Sequence, residues 1–376
     1  MKGITDLTKG SNTITPGGYR FVIIWAVGLL LLYAIGGYIE VSLLRGYAVE
    51  NASIRKTRFE SLSTKQNVKD TDLQVQSESQ PVDVLVGGSI NSIEDFVIKE
   101  SSCTADFYLW FSWKGDAVKS CENFRIANGQ ITLKEKMESS QNGDEHYEEY
   151  HVTARMKISF DASRFPFSEE GLSIQVEDAS HGTNKLNYIA DKGNSRISPE
   201  ATPRAIEVTR FMVETKKSSY KPGRVETYAA GSENKVYSQF ILAILFAPKF
   251  IHVYLKMFQA LFVSVAISLI VLHIKPIHVD PRFGISVGGI FAAVGNNFFV
   301  SSILPQSDRF TLADMVNATG LFTIFFILVQ SAISLYILDS MGRERLSRFF
   351  DHISFIVFIL GYIAVNLALP LAARAA

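Results

Sequence analysis

The sequence predicts a membrane protein in two parts: an all-β, immunoglobulin-like extracellular sandwich followed by a four-helix transmembrane bundle, with one extra transmembrane helix at the N-terminus. Two observations predict it. Hydrophobic residues make up 47% of the 376, and they concentrate in residues 21–44 and after Phe240, in runs of about 20 residues or more that suit bilayer spans. Between these runs, residues 81–235 are polar, alternating and punctuated by Gly, Asn and Ser, the pattern of a soluble β domain.

Residues 1–20 form a tail carrying Lys2, Lys9 and Arg20. The span 21–44 is longer than a secretory h-region and no small-x-small cleavage site follows it, so it reads as an uncleaved anchor rather than a signal peptide. Residues 45–80 are charged, with Ser and Gln but no sustained apolar face, which predicts a linker or short helix. Strands are predicted at 82–86, 105–113, 151–160, 172–176, 206–213 and 236–245, where β-branched and aromatic residues mostly alternate. The turn signals between them argue for a sandwich over residues 81–247. Further spans at 250–274, 283–304, 310–338 and 349–371 give a membrane domain over residues 248–376.

Short-loop basic residues set the expected orientation. Lys275 and Arg282 lie between the second and third spans, and Arg343, Arg345 and Arg348 between the fourth and fifth; the other side offers Arg309 and Arg374. The N-terminal tail is therefore expected in the cytoplasm, with the β domain and C-terminus outside. Arg45, Arg55, Lys56 and Arg58 pull the other way, but the four later spans agree with one another and decide the matter.

Lys plus Arg and Asp plus Glu are both 37, so no bulk charge points to nucleic acid. Cys103 and Cys121 lie on the outward domain, where oxidation is allowed, and both a bridge and two free thiols remain open. His146 and His151 accompany Glu145, Glu148 and Glu149, but strand alternation puts the two histidines on opposite faces, which favours a solvated acidic strand over a metal site. No nucleophile elbow, phosphate loop or metal-ligand spacing occurs. No enzyme activity, catalytic residue, metal or cofactor is expected.

The stretch from Pro281 to Pro305 is long enough to cross a bilayer yet contains four glycines, two asparagines and several serines. Taken three or four residues at a time, Asp280, Gly284, Gly288, Phe291, Gly295, Phe298 and Ser302 share one helix face. A lipid-facing stripe has no use for Gly, Asp and Ser. Water or a neighbouring helix does, and close helix packing through small residues is the competing reading.

Several segments resemble the pentameric ligand-gated ion channels, and their prokaryotic members in particular. Phe160-Asp-Ala-Ser-Arg-Phe-Pro-Phe-Ser168 ahead of an alternating strand is similar to the family's signature loop, without the disulfide of the eukaryotic members. Ala105 to Trp113 and Glu122 to Asn128 resemble bacterial sequences of the family. Arg282-Phe-Gly-Ile-Ser-Val, Asn297, Leu304-Pro305 and Phe310-Thr-Leu-Ala-Asp314 follow in the family's order. The resemblance covers residues 82–371 and leaves the first helix outside it.

The resemblance implies a homopentameric, chemically gated channel in the bacterial inner membrane, whose partners are membrane lipid, permeant ions and an unidentified small-molecule or ionic ligand. The seven-residue stripe would line the pore, Phe291 and Phe298 would form apolar gates, and an Asp280 ring would favour cations. Asp280 before Pro281 also fits an N-cap followed by a first-turn proline, and Arg282 is assigned to the headgroups or a neighbouring subunit. Phe165, Pro166 and Phe167 would couple the two domains through Pro305 and Arg309, with Lys249 at the junction; plugging the sandwich bottom is the alternative for the phenylalanines. Trp110, Trp113, Tyr220 and Tyr228 are the aromatic candidates for ligand binding. A second reading from another class is a non-conducting receptor or scaffold whose N-terminal helix engages a protein partner.

Overall fold

The computed structural model describes residues 14–63, 80–202, 206–220, 235–248 and 250–374. Helix α1 (Pro16–Ser63) opens it. Pro16 suits a first helical position, and the Thr15 hydroxyl accepts the Gly18 N–H at 3.3 Å as an N-terminal cap. The linker expected from residue 45 is helical as far as Ser63, because Ala, Glu, Arg and Lys end the apolar run without ending the helix.

An immunoglobulin-like sandwich leading into a bundle is not the fold. The expected N-terminal helix comes first, but the ten strands among the described residues form two open sheets that do not close. The strands are β1 (Val82–Val97), β2 (Ser102–Lys114), β3 (Phe124–Ile126), β4 (Gly129–Asn142), β5 (Glu145–Lys157), β6 (Glu170–Asp178), β7 (Leu186–Ala190), β8 (Arg196–Ile197), β9 (Ile206–Tyr220) and β10 (Lys235–Pro248). One sheet runs β4-β5-β2-β1-β7 with β8 beside β1; the other runs β3-β6-β10-β9. The first is mixed, since β1 pairs in parallel with both β7 and β8. Period-two alternation reports which face of a strand is buried. It carries no information about a partner's direction, so the parallel pairs were invisible to it.

The two sheets share an apolar core in which β2 gives Phe107, Leu109, Phe111 and Trp113, β5 gives Val152 and Ala154, and β6 and β10 give Ile174, Phe240 and Leu242. Glu148 is buried beside it and gathers Lys136 Nζ at 3.0 Å, the Tyr150 hydroxyl at 2.8 Å and the Cys121 N–H at 3.0 Å. Burial pushes its carboxyl up, but these hydrogen bonds and that of Ser120 outweigh burial and hold it below the usual value. Cys103 and Cys121 are free and buried. Burial raises the Cys103 thiol to about 12 and moves Cys121 in the same direction.

The second compact unit contains α1 up to Glu50, residues 162–168 and the chain from Phe250 onward. Its other helices are α2 (Phe250–Ile270, prolonged by a 3-10 turn through His273), α3 (Val279–Ile303), α4 (Leu312–Asp339) and α5 (Glu344–Arg374). With α1, five helices among the described residues are long and apolar enough to cross a membrane. A capping box starts α4: Thr311 Oγ1 accepts the Asp314 N–H at 3.2 Å, and Asp314 accepts the Thr311 N–H at 2.9 Å. Helix α1 docks on α4 and α5. Val22 joins Ile337, Leu346 and Phe350 in an apolar cluster, and Gly361 leaves room for Tyr33, whose ring a Cβ there would meet at 2.4 Å.

Candidate functional site

Helix α3 is held in its unit by one face. Arg282, Ser286, Gly289, Ala293, Asn296 and Val300 are buried at alternating three- and four-residue steps. Polar contacts pin that face to each neighbouring helix. Arg282 Nη2 meets Asp351 Oδ1 of α5 at 3.1 Å, Ser264 Oγ of α2 donates to the Gly289 carbonyl at 2.6 Å, and Asn296 donates to Asn317 of α4 at 3.0 Å.

The opposite face carries all seven stripe residues. Asp280, Gly284, Gly288, Phe291, Gly295, Phe298 and Ser302 are exposed, with Phe291 at 73% and Phe298 at 78%, among the most exposed large apolar side chains described. A Cβ added at Gly284, Gly288 or Gly295 would meet no atom within 4 Å, whereas one at Gly289 would lie 2.3 Å from Ser268 Oγ. Packing within the chain therefore explains Gly289 and leaves the three stripe glycines unexplained.

Two expectations at the start of α3 need correction. Asp280 is not the N-cap, because the helix begins at Val279 with His278 in the capping position. Arg282 does not reach headgroups or another subunit: it is 1% exposed. Its partner Asp351 also accepts from Gln330 Nε2 at 3.1 Å, so the buried pair ties the start of α3 to α4 and α5.

Phe165, Pro166 and Phe167 belong to the helical unit, and Phe165 is buried outside the sheet core. The Ser163 carbonyl accepts the Leu312 N–H at 2.8 Å, Arg164 donates to the Ala373 carbonyl at 3.3 Å, and the Phe167 and Tyr254 rings lie 5.7 Å apart. These contacts reach α2, α4 and α5. Pro305 and Arg309 are half-buried; Arg309 donates to Glu50 of α1 at 2.6 Å and stacks over Tyr47. Lys249 lies outside the described residues.

The aromatic candidates in the sheets do not form one site. Trp113 is in the core, stacked on His146, and its indole donates to the Val118 carbonyl at 2.7 Å. Trp110 sits on the other face, lies flat over Gly87 and donates to Asp191 at 3.1 Å. On that face Asp106 meets His151 at 2.6 Å, and Tyr108 stacks on His151. Tyr228 and the side chain of Tyr220 lie outside the described residues. Among the described residues no group of His, Cys, Asp and Glu has the arrangement of a metal site.

Comparison with protein-family models finds no match, and comparison with curated proteins finds none either.

Proposed function

We propose that this chain is one protomer of a homopentameric, chemically gated, cation-permeable channel of the bacterial inner membrane, a relative of the pentameric ligand-gated channels. In this reading the N-terminal tail is cytoplasmic, and the β unit and C-terminus are periplasmic. One observation carries it: a membrane helix presents Asp, three Gly, Ser and two Phe on a single exposed stripe that no neighbour within the chain requires.

Five such stripes around an axis would line a pore. Phe291 would form the narrow apolar ring at which water is expelled, with Phe298 a second ring above it. Five helix N-termini at one mouth would favour anions; the Asp280 carboxylates offset those dipole ends and favour cations. Residues 162–168 are continuous in sequence with β5 and β6, so a ligand-driven displacement of those strands would pull on the start of α4. The ligand itself is an unidentified small molecule or ion.

The test is current through planar bilayers in asymmetric salt, with purified wild type, Phe291→Ala and a Leu360→Ala control on the exposed face of α5. Leak that rises in Phe291→Ala alone, reversing near the cation potential, is the expected result. Unchanged leak in Phe291→Ala refutes the gate. Silence from folded pentamers of all three would transfer the proposal to the non-conducting receptor that signals through α1.

A further inference from the structure

Helix α1 and helix α4 flank a half-open cavity of about 660 Å³ whose remaining wall includes Val365 of α5. Its volume falls within the range of small-molecule pockets. On α1 it extends from Gly28 to Glu40, ~18 Å along the helix axis at 1.5 Å per residue. Gly28 and Gly36 line it, and the space beside each is empty, since a Cβ at either would meet nothing within 4 Å.

The lining is mostly apolar, from Leu31, Leu32, Ile35, Phe322 and Phe326, and its few polar groups belong to Glu40, Thr319, Thr323 and Tyr33. Thr319 Oγ1 lies 3.3 Å from both Glu40 oxygens, and the Tyr33 and Thr323 hydroxyls bond each other at 2.7 Å. Glu40 lies within the apolar span of α1, and among the described residues none of the ion pairs includes it. A carboxylate at membrane depth is costly unless a cation or several donors accompany it. One threonine hydroxyl, shared between its oxygens, is weak compensation.

We propose that this cavity binds a membrane-partitioned amphiphilic amine, with the ammonium head on Glu40 and an apolar tail along Leu31, Leu32 and Phe326. The ammonium supplies the counter-charge that no described residue supplies. The apolar length accepts a tail, and the exposed Ile39 and Phe322 side chains flank an opening toward lipid. The site is independent of whether the chain conducts, because it uses neither α3 nor the β unit.

The test uses full-length protein in nanodiscs, a photoreactive long-chain primary amine, and the uncharged alcohol of the same chain. Cross-linked positions are mapped by peptide mass spectrometry. The amine should label residues 28–40 and 319–326, excess unlabelled dodecylamine should compete, and labelling should fall by about tenfold or more in Glu40→Gln, as expected for loss of a charge-assisted hydrogen bond. Gly36→Phe, which fills the cavity and keeps Glu40, should lose labelling at an unchanged melting temperature. Equal labelling by the alcohol, or by the amine in Glu40→Gln, would overturn the proposal in favour of a slot for any acyl chain. Labelling that survives in a folded Gly36→Phe protein would show that the cavity is not the site.

Discussion

Replacing Asp351 by leucine would leave the Arg282 guanidinium buried between α3, α4 and α5 without its counter-charge. Arg282 is 1% exposed, its Nε has no hydrogen-bond partner, and its contact with Ser334 is long at 3.5 Å. The 3.1 Å bond to Asp351 is thus its strongest interaction. Removing one member of a buried pair typically destabilises by about 3–5 kcal/mol, because the survivor cannot be resolvated. Replacing both members by apolar residues of similar volume is often neutral or stabilising. The expected pattern is a large loss for Asp351→Leu, a similar loss for Arg282→Met, and recovery of most of it in the double variant. Equilibrium unfolding of the three variants in mixed micelles, followed by circular dichroism, closes the cycle. A loss below about 1 kcal/mol in Asp351→Leu, or a double variant no more stable than the singles, would refute the buried pair as an organising contact.

Gly289→Ala should lower stability by about 1–3 kcal/mol, since its Cβ would be forced against Ser268, while Gly284→Ala should leave stability unchanged or raise it by up to about 1 kcal/mol through helix propensity; thermal melts separate them. Glu148 is held below its ordinary value, so its contribution is present above the unfolded-state carboxylate range and is lost as pH falls through the depressed folded value. Unfolding followed by tryptophan fluorescence in mild acid should show this loss, and Glu148→Gln should remove it. Cys103 and Cys121 should resist a maleimide at pH 7.5 in the folded protein and react once it is denatured, because burial removes access and keeps both thiols protonated.

The apolar spans were legible from run length alone, and the buried face of β2 from alternation. The α3 stripe was legible because helical periodicity is local. Arg282 was not, since its partner stands 69 residues away on another helix, and a basic residue near a span end looks the same whether it snorkels or is buried. Trp110 and Trp113 are three positions apart on one strand. Parity alone would have placed them on opposite faces. Strand β4, nearly all exposed and rich in charge, has no apolar face to announce it, and the membrane-edge Arg and Lys after residue 44 hid the fact that α1 continues.

The first backbone donor of α4 has no intrahelical acceptor, as at every helix start. Here Leu312 finds its acceptor in Ser163, at the tip of the β5–β6 connection, while Thr311 and Asp314 cap each other beside it. The end of one element is thus completed by the backbone of another. Drawing the connection back by an ångström or two would strand a buried N–H, at a cost of about 1–3 kcal/mol unless water enters. The helix end is thus built partly from a segment about 150 residues earlier in the chain, and a change that shifted Ser163 would be felt first as fraying in the opening turn of α4.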